Sequence, residues 1–138
     1  MHEIAQTRIS HPMNALSLPG VLTLLVAAGI IFIGIREFFY PAVGAQGFGV
    51  PLWDPHDGPL LAIKAARDVT TGILTLTFLA LRDRKILAIA LAVLTLIPIL
   101  DGLVVFSHAD WTFTPVLLIH WGTAAFMLVI VALLKREK

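Results

Sequence analysis

Seven ionisable residues sit inside stretches of chain that are otherwise apolar enough to enter a membrane: Arg36, Glu37, Lys64, Arg67, Asp68, Asp101 and His120. A charge in hydrocarbon is expensive, so such residues face a bundle interior, pair with one another or line a functional cavity. Two carboxylates in unlike surroundings can divide acid and base roles. Asp101, beside apolar neighbours and close to Pro98, is the candidate general acid; Asp68, next to Arg67, is the candidate base or charge stabiliser. His120 is the candidate proton relay, because imidazole changes charge near neutral pH. Arg36, Glu37, Lys64, Thr71 and Trp53 are the candidates for holding the polar part of a substrate.

The bland reading of the same residues is structural. Arg36, Glu37 and Lys64 lie near enough to an interface to snorkel, and the threonines can bond to carbonyls of their own helix. The charges also balance, three positive against three negative, as a buried and internally paired network requires. On this reading Arg67 or Arg36 bridges Asp68 and Asp101, since a guanidinium holds two carboxylates in fixed geometry better than an ammonium does.

The elements that must position these groups are four apolar segments. The chain has 138 residues, 58% hydrophobic and 14% charged, against roughly 25% charged in a soluble domain. Segments at 18–39, 60–81, 86–106 and 113–134 each approach the roughly twenty residues that cross a bilayer core as a helix. The fold class expected is therefore all-α, an integral membrane four-helix bundle spanning 18–138 behind a polar segment at 1–17. The first apolar run is too long for a secretory h-region and ends in IREFFYP, not in a small-residue cleavage site. The connection 40–59 holds four glycines and four prolines. It reads as a poor helix or strand, yet Phe48, Leu52 and Trp53 make it an ordered cap and not a free linker.

Arg82, Arg84 and Lys85 share one loop, on the same side as Lys135, Arg136 and Lys138. The opposite loops carry Asp54, Asp57 and Asp110 without lysine or arginine. The positive-inside rule then places both termini in the cytoplasm of a multi-pass protein, with the cell inner membrane as the expected location. Counting about 1.5 Å per residue, Arg36 lies about 5 Å from the outer end of its helix, Asp101 about 8 Å, His120 about 10 Å and Asp68 about 12 Å. All four segments bring a titratable group to the same half, and the other half is aliphatic. Lys64, Arg67, Asp68, Thr71 and Thr75 form one polar stripe, and His120, Thr123 and Met127 another. Pro98 lacks an N–H and should free the Leu94 carbonyl, bending the third helix beside Asp101. Gly29, Gly34, Gly72 and Gly122, with Ala88 and Ala92, read as close-packing positions between helices.

With no cysteine, disulfides, thiolate chemistry and cysteine–zinc sites are excluded. A net charge of +1 offers no basic surface for nucleic acid, and no nucleotide loop, catalytic serine motif or metal signature stands out. No cofactor and no metal are expected.

GIREFFYP (34–41), FGVP (48–51), KAARDVTTGIL (64–74) and the Asp101-Gly102 pair after Pro98 resemble, in order and spacing, a family of small four-helix integral membrane proteins classed as a domain of unknown function. The resemblance covers most of the chain beyond the N-terminal segment. It implies the four-helix topology and the importance of Arg36, Arg67, Asp68 and Asp101, and names no reaction. A looser likeness to DoxX-like membrane proteins, associated with quinone or thiol redox systems, transfers no residues.

The expected function is a membrane enzyme using Asp, Arg and His acid–base chemistry on a lipophilic small molecule, of isomerase, cyclase or hydrolase type. The alternatives are a non-catalytic scaffold or lipid-binding protein, and a proton-coupled transporter. The partners expected are membrane lipid and a lipophilic ligand. Four helices are few for transport, which would require a homodimer.

Overall fold

The computed structural model describes residues 13–50 and 57–136. Prolines open three of its helices, where a missing N–H costs nothing and a fixed φ suits the first turn. Pro19 starts α1 (Leu18–Phe39), Pro41 starts α2 (Pro41–Phe48) and Pro59 starts α3 (Gly58–Ala80). Asp83 caps α4 (Arg84–Leu94), its Oδ1 accepting from the amides of Lys85 at 2.9 Å and Ile86 at 3.0 Å. Then follow α5 (Leu96–His108) and α6 (Leu117–Arg136). The described residues contain no strand.

Small residues let α1 and α3 approach closely, and this is the most extensive helix pairing in the molecule. A Cβ on Gly34 would lie 2.8 Å from the Ala65 carbonyl oxygen and 2.9 Å from the Val69 amide nitrogen; one on Gly72 would lie 2.8 Å from the Ala27 carbonyl oxygen. Backbone cannot retreat as a side-chain tip can, so glycine is required at both positions. Gly29 and Gly122 meet nothing within 4 Å and Ala92 is exposed. The close-packing reading therefore fails for these three, which face outward.

One end of the bundle is an aliphatic cluster. Val26, Leu79, Leu87, Leu91, Met127, Ile130, Val131 and Leu134 are buried there together with Met13. The Met13 amide donates to the Arg82 carbonyl at 2.9 Å, tying the segment before α1 to the α3–α4 turn. Outside this cluster, large apolar side chains face outward along every long helix, among them Phe32, Ile63, Ile89, Leu100, Leu118 and Val129. Exposed apolar surface on that scale is foreign to a soluble monomer. Among the described residues, three helices are long and apolar enough to cross a membrane: α1, the combined α4–α5 rod at Arg84–His108, and α6. These mark the chain as a membrane protein. The α3 helix has comparable length, 23 residues, but carries Lys64, Arg67 and Asp68 on one side, with Asp68 buried and the Arg67 side chain partly open.

Three expectations need correction. The connection after α1 is not devoid of helix: α2 forms after the single non-helical residue Tyr40 and ends at Gly49, which takes φ 96. Pro41 at its start and a left-handed glycine just past its end are what a short helix needs. The third segment is not one unbroken helix. It divides at Thr95, where the Ile99 amide reaches the Thr95 carbonyl only at 3.4 Å and Pro98 offers Leu94 no donor. The last helix begins at Leu117 and not at residue 113, because the amides of Leu117, Leu118 and Ile119 bond three residues back around Pro115.

Candidate functional site

At the end of the bundle opposite the aliphatic cluster, five ionised side chains from three helices form one chain of contacts. Glu37, in the last turns of α1, accepts through Oε2 from Lys64 Nζ at 2.7 Å. Lys64 also donates to Asp68 Oδ2 at 2.7 Å, one turn along α3. Asp68 Oδ1 accepts from Arg67 Nε at 3.0 Å. Arg67 then reaches across to α5, donating from Nη1 and Nη2 to the two oxygens of Asp101 at 3.1 and 2.8 Å. The carboxylate-bridging arginine is thus Arg67 and not Arg36. Asp68 holds two cations and Arg67 holds two carboxylates, so no member of the network is buried without a counter-charge. That matters because the desolvation penalty of a lone buried ion is several kcal/mol.

The α2 helix lies against this network as a roof. A Cβ on Gly44 would come within 2.6 Å of Glu37 Cγ, so the roof seats on Glu37 only because that position has no side chain. Phe48, at the end of α2, contributes twice. Its carbonyl accepts from His120 Nε2 at 2.9 Å, and its ring meets the imidazole edge-to-face at 4.9 Å. Lys64 Nζ sits 4.8 Å from the centre of the same ring, a cation–π contact. A carbonyl only accepts, so the His120 proton is on Nε2, and in the neutral ring Nδ1 is left as an acceptor.

Beneath the roof is a cavity of about 230 Å³. Its polar wall is Arg36, Glu37, Lys64, Asp68, Asp101 and His120; its apolar wall includes Ile30, Leu94, Ile97, Pro98 and Met127. Of the residues singled out from sequence, Asp68, Asp101, His120, Arg36, Glu37, Lys64 and Thr71 all line it, and Arg67 does not. Arg67 stands behind the two aspartates, more open to the outside than the groups it holds. Thr71 has donated its hydroxyl proton to the Arg67 carbonyl at 2.8 Å and Thr123 its own to the Ile119 carbonyl at 2.6 Å, which leaves each as an acceptor only. Trp53 lies outside the described residues. Among the described residues, no group of three His, Asp or Glu side chains is disposed to hold a metal ion.

The free atoms define what the site can do. Both oxygens of Asp68 and both of Asp101 already accept from cations. Among the described residues, Glu37 Oε1 and His120 Nδ1 have no hydrogen-bond partner, and Arg36 is the one cation of the constellation without an ion pair or side-chain hydrogen bond. Sequence reasoning did not assign Phe48 and Gly44 to the site. The signal available for both was an aromatic residue before a glycine, closing a small-residue run that Pro41 opens.

No curated protein and no solved structure matches the chain, and the looser DoxX-like resemblance is not shown. One family model does match, over residues 27–134, from the middle of α1 to near the end of α6. The chain thus belongs to the family described as Domain of unknown function (DUF4267), and the matched stretch contains every described residue of the cavity wall.

Proposed function

We propose that the protein is a four-span inner-membrane enzyme that carries out acid–base chemistry on a lipophilic small molecule, with both termini in the cytoplasm. The observation that carries this reading is a cavity with one charged and one aliphatic wall, into which two unspent proton acceptors open. The aliphatic wall suits a hydrocarbon part, and the polar wall a reacting head. α3 supplies the fourth span: its charges are turned inward and neutralised by α1 and α5, so its outer face is left to lipid. Sidedness follows the basic residues Arg82, Lys85, Lys135 and Arg136, which lie at the end away from the cavity.

In this reading Glu37 and His120 exchange the substrate's proton. Asp68 and Asp101, with every oxygen engaged, hold Arg67 and Lys64 and thereby fix the electrostatics of the wall. Isomerisation or cyclisation takes a proton from one position of a held substrate and returns it at another, so whichever of Glu37 and His120 accepts the proton becomes the acid that gives it back. Lipid binding without turnover is the second reading, favoured by the internal pairing of the network. Transport has no comparable support, since the aliphatic cluster closes the far end of the bundle.

The test is native mass spectrometry of protein purified in mild detergent, followed by turnover of whatever co-purifies. Wild type should carry and convert a defined lipophilic molecule, whereas Glu37→Gln and His120→Gln should retain it unconverted. Conversion at wild-type rate by both variants rejects the enzyme reading, and retention without conversion by wild type selects the lipid-binding one.

A further inference from the structure

The cavity is open sideways. Ile33 of α1, Val43 of α2 and Ile119 of α6 line it and are also 42%, 42% and 56% exposed on the outside of the bundle. These three residues come from the roof and from two helices beneath it, and their outer surfaces belong to the apolar, lipid-facing exterior. The mouth is therefore rimmed by hydrocarbon, with Arg36 beside it as the only charged group, among the described residues, that is exposed and lines the cavity as well.

Size and charge then restrict the occupant. The cavity of about 230 Å³ is smaller than the roughly 300–1,000 Å³ pockets that enclose a whole drug-sized ligand, so it holds only part of an amphiphile. That is a head and a few carbons, with any longer chain leaving through the mouth. The five paired groups, Lys64 and Arg67 against Glu37, Asp68 and Asp101, carry a net charge of −1, and Arg36 at the mouth brings the constellation to zero. A charged head of either sign would leave that low-dielectric site with a net charge, which is costly. The unspent polar atoms are a guanidinium, which only donates, and Glu37 Oε1 and His120 Nδ1, which accept.

Building on the reading of the cavity as a ligand site, we infer that its occupant is an uncharged single-chain amphiphile whose head carries a carbonyl and a hydroxyl, and that it enters from the bilayer between α1 and α6 beneath α2. The carbonyl accepts from Arg36. The hydroxyl donates to Glu37 or His120. The chain passes between Ile33 and Ile119 into lipid.

The experiment uses the full chain in proteoliposomes and a photoreactive 1-hydroxydecan-2-one with a diazirine at the chain end, the labelled peptides being mapped by mass spectrometry. Labelling should fall on α1, α2 and α6 around the mouth. Unlabelled 1-hydroxydecan-2-one should compete about tenfold better than decanoate or decyltrimethylammonium, the scale of one hydrogen bond to a charged group. Arg36→Gln should remove most of that preference, and Ile33→Trp, a change at an exposed position that leaves the core intact, should block labelling at the mouth. Equal or better competition by decanoate or decyltrimethylammonium overturns the uncharged head while leaving the ligand site standing. Labelling unaffected by Ile33→Trp overturns the route of entry. Absence of labelling around the mouth by this probe and by photoreactive decanoate and decyltrimethylammonium alike removes both this inference and the ligand site on which it rests.

Discussion

Arg67 of α3 and Asp101 of α5 are joined by two parallel hydrogen bonds, at 3.1 and 2.8 Å, between helices that scarcely pack against one another in any other way. α3 is packed chiefly on α1, and α5 on α6. The guanidinium–carboxylate fork therefore spans the space between the two helix pairs and closes the back of the cavity. Its planar, two-point geometry resists rotation in a way that a single ammonium contact does not.

Asp101→Asn should lower stability by about 1–2 kcal/mol. Breaking a fully buried pair costs about 3–5 kcal/mol, but the Arg67 side chain is 38% exposed, so solvent screening reduces the loss. Thermal unfolding in detergent measures it, with Asp110→Asn in the exposed loop as the unchanged control. Replacing both partners, as in Arg67→Leu with Asp101→Leu, should recover much of the loss. A double mutant as unstable as the sum of its parents would show that the two side chains do not act as a pair.

Gly44→Ala should lift the roof. The added methyl would meet Glu37 Cγ at 2.6 Å, with Glu37 Cβ and Cα at 3.1 and 3.2 Å behind it, so no flexible tip is available to yield. Overpacking of this kind costs about 1–3 kcal/mol, and here it is relieved by moving α2. Hydrogen exchange at residues 41–48 should accelerate while exchange in the aliphatic cluster stays unchanged. Uniform acceleration through the bundle would assign Gly44 to global packing instead.

Gly102→Ala should displace Trp121. A Cβ at position 102 would collide with the Trp121 indole, including Nε1, and that ring also packs edge-on against Phe106 with centroids 5.8 Å apart. In a background with Trp53 and Trp111 replaced by Phe, the emission of Trp121 should change in wavelength and quenching on this one substitution. Unchanged emission would mean that α5 and α6 can separate at that crossing at little cost.

The proposed four-span topology is open to a direct check, because the chain has no cysteine of its own. Asp110→Cys should react with a membrane-impermeant maleimide in intact cells, whereas Lys85→Cys should react only after permeabilisation. The opposite pattern would invert the protein in the membrane, and labelling of both from outside would mean that the α4–α5 rod between them does not cross it.

Much of the frame was legible in sequence. The bounds of α1 followed from the length of the apolar run between Ser17 and the Tyr40-Pro41 pair, and the stripe Lys64, Arg67, Asp68, Thr71 from helical period alone. Likewise, Pro98 marked a weak point in the third segment, because a residue without an N–H cannot complete the bond to Leu94 whatever surrounds it, although the expected bend is a break at Thr95. These are local properties: hydropathy, periodicity and backbone donors belong to each segment before it packs. Which groups meet is not local. That Arg67 and not Arg36 takes Asp101, that Glu37 pairs with Lys64 some 27 positions away, and that Phe48 closes on His120 across 72 positions depended on how α1, α2, α5 and α6 settled around α3. Position in the fold also decided which atoms were left over. Sequence offered Asp68 and Asp101 both as acid and base and as the ends of an arginine bridge; packing spends their oxygens on cations and leaves Glu37 Oε1, His120 Nδ1 and Arg36 unspent, because a carboxylate's availability depends on its neighbours and not on its residue type.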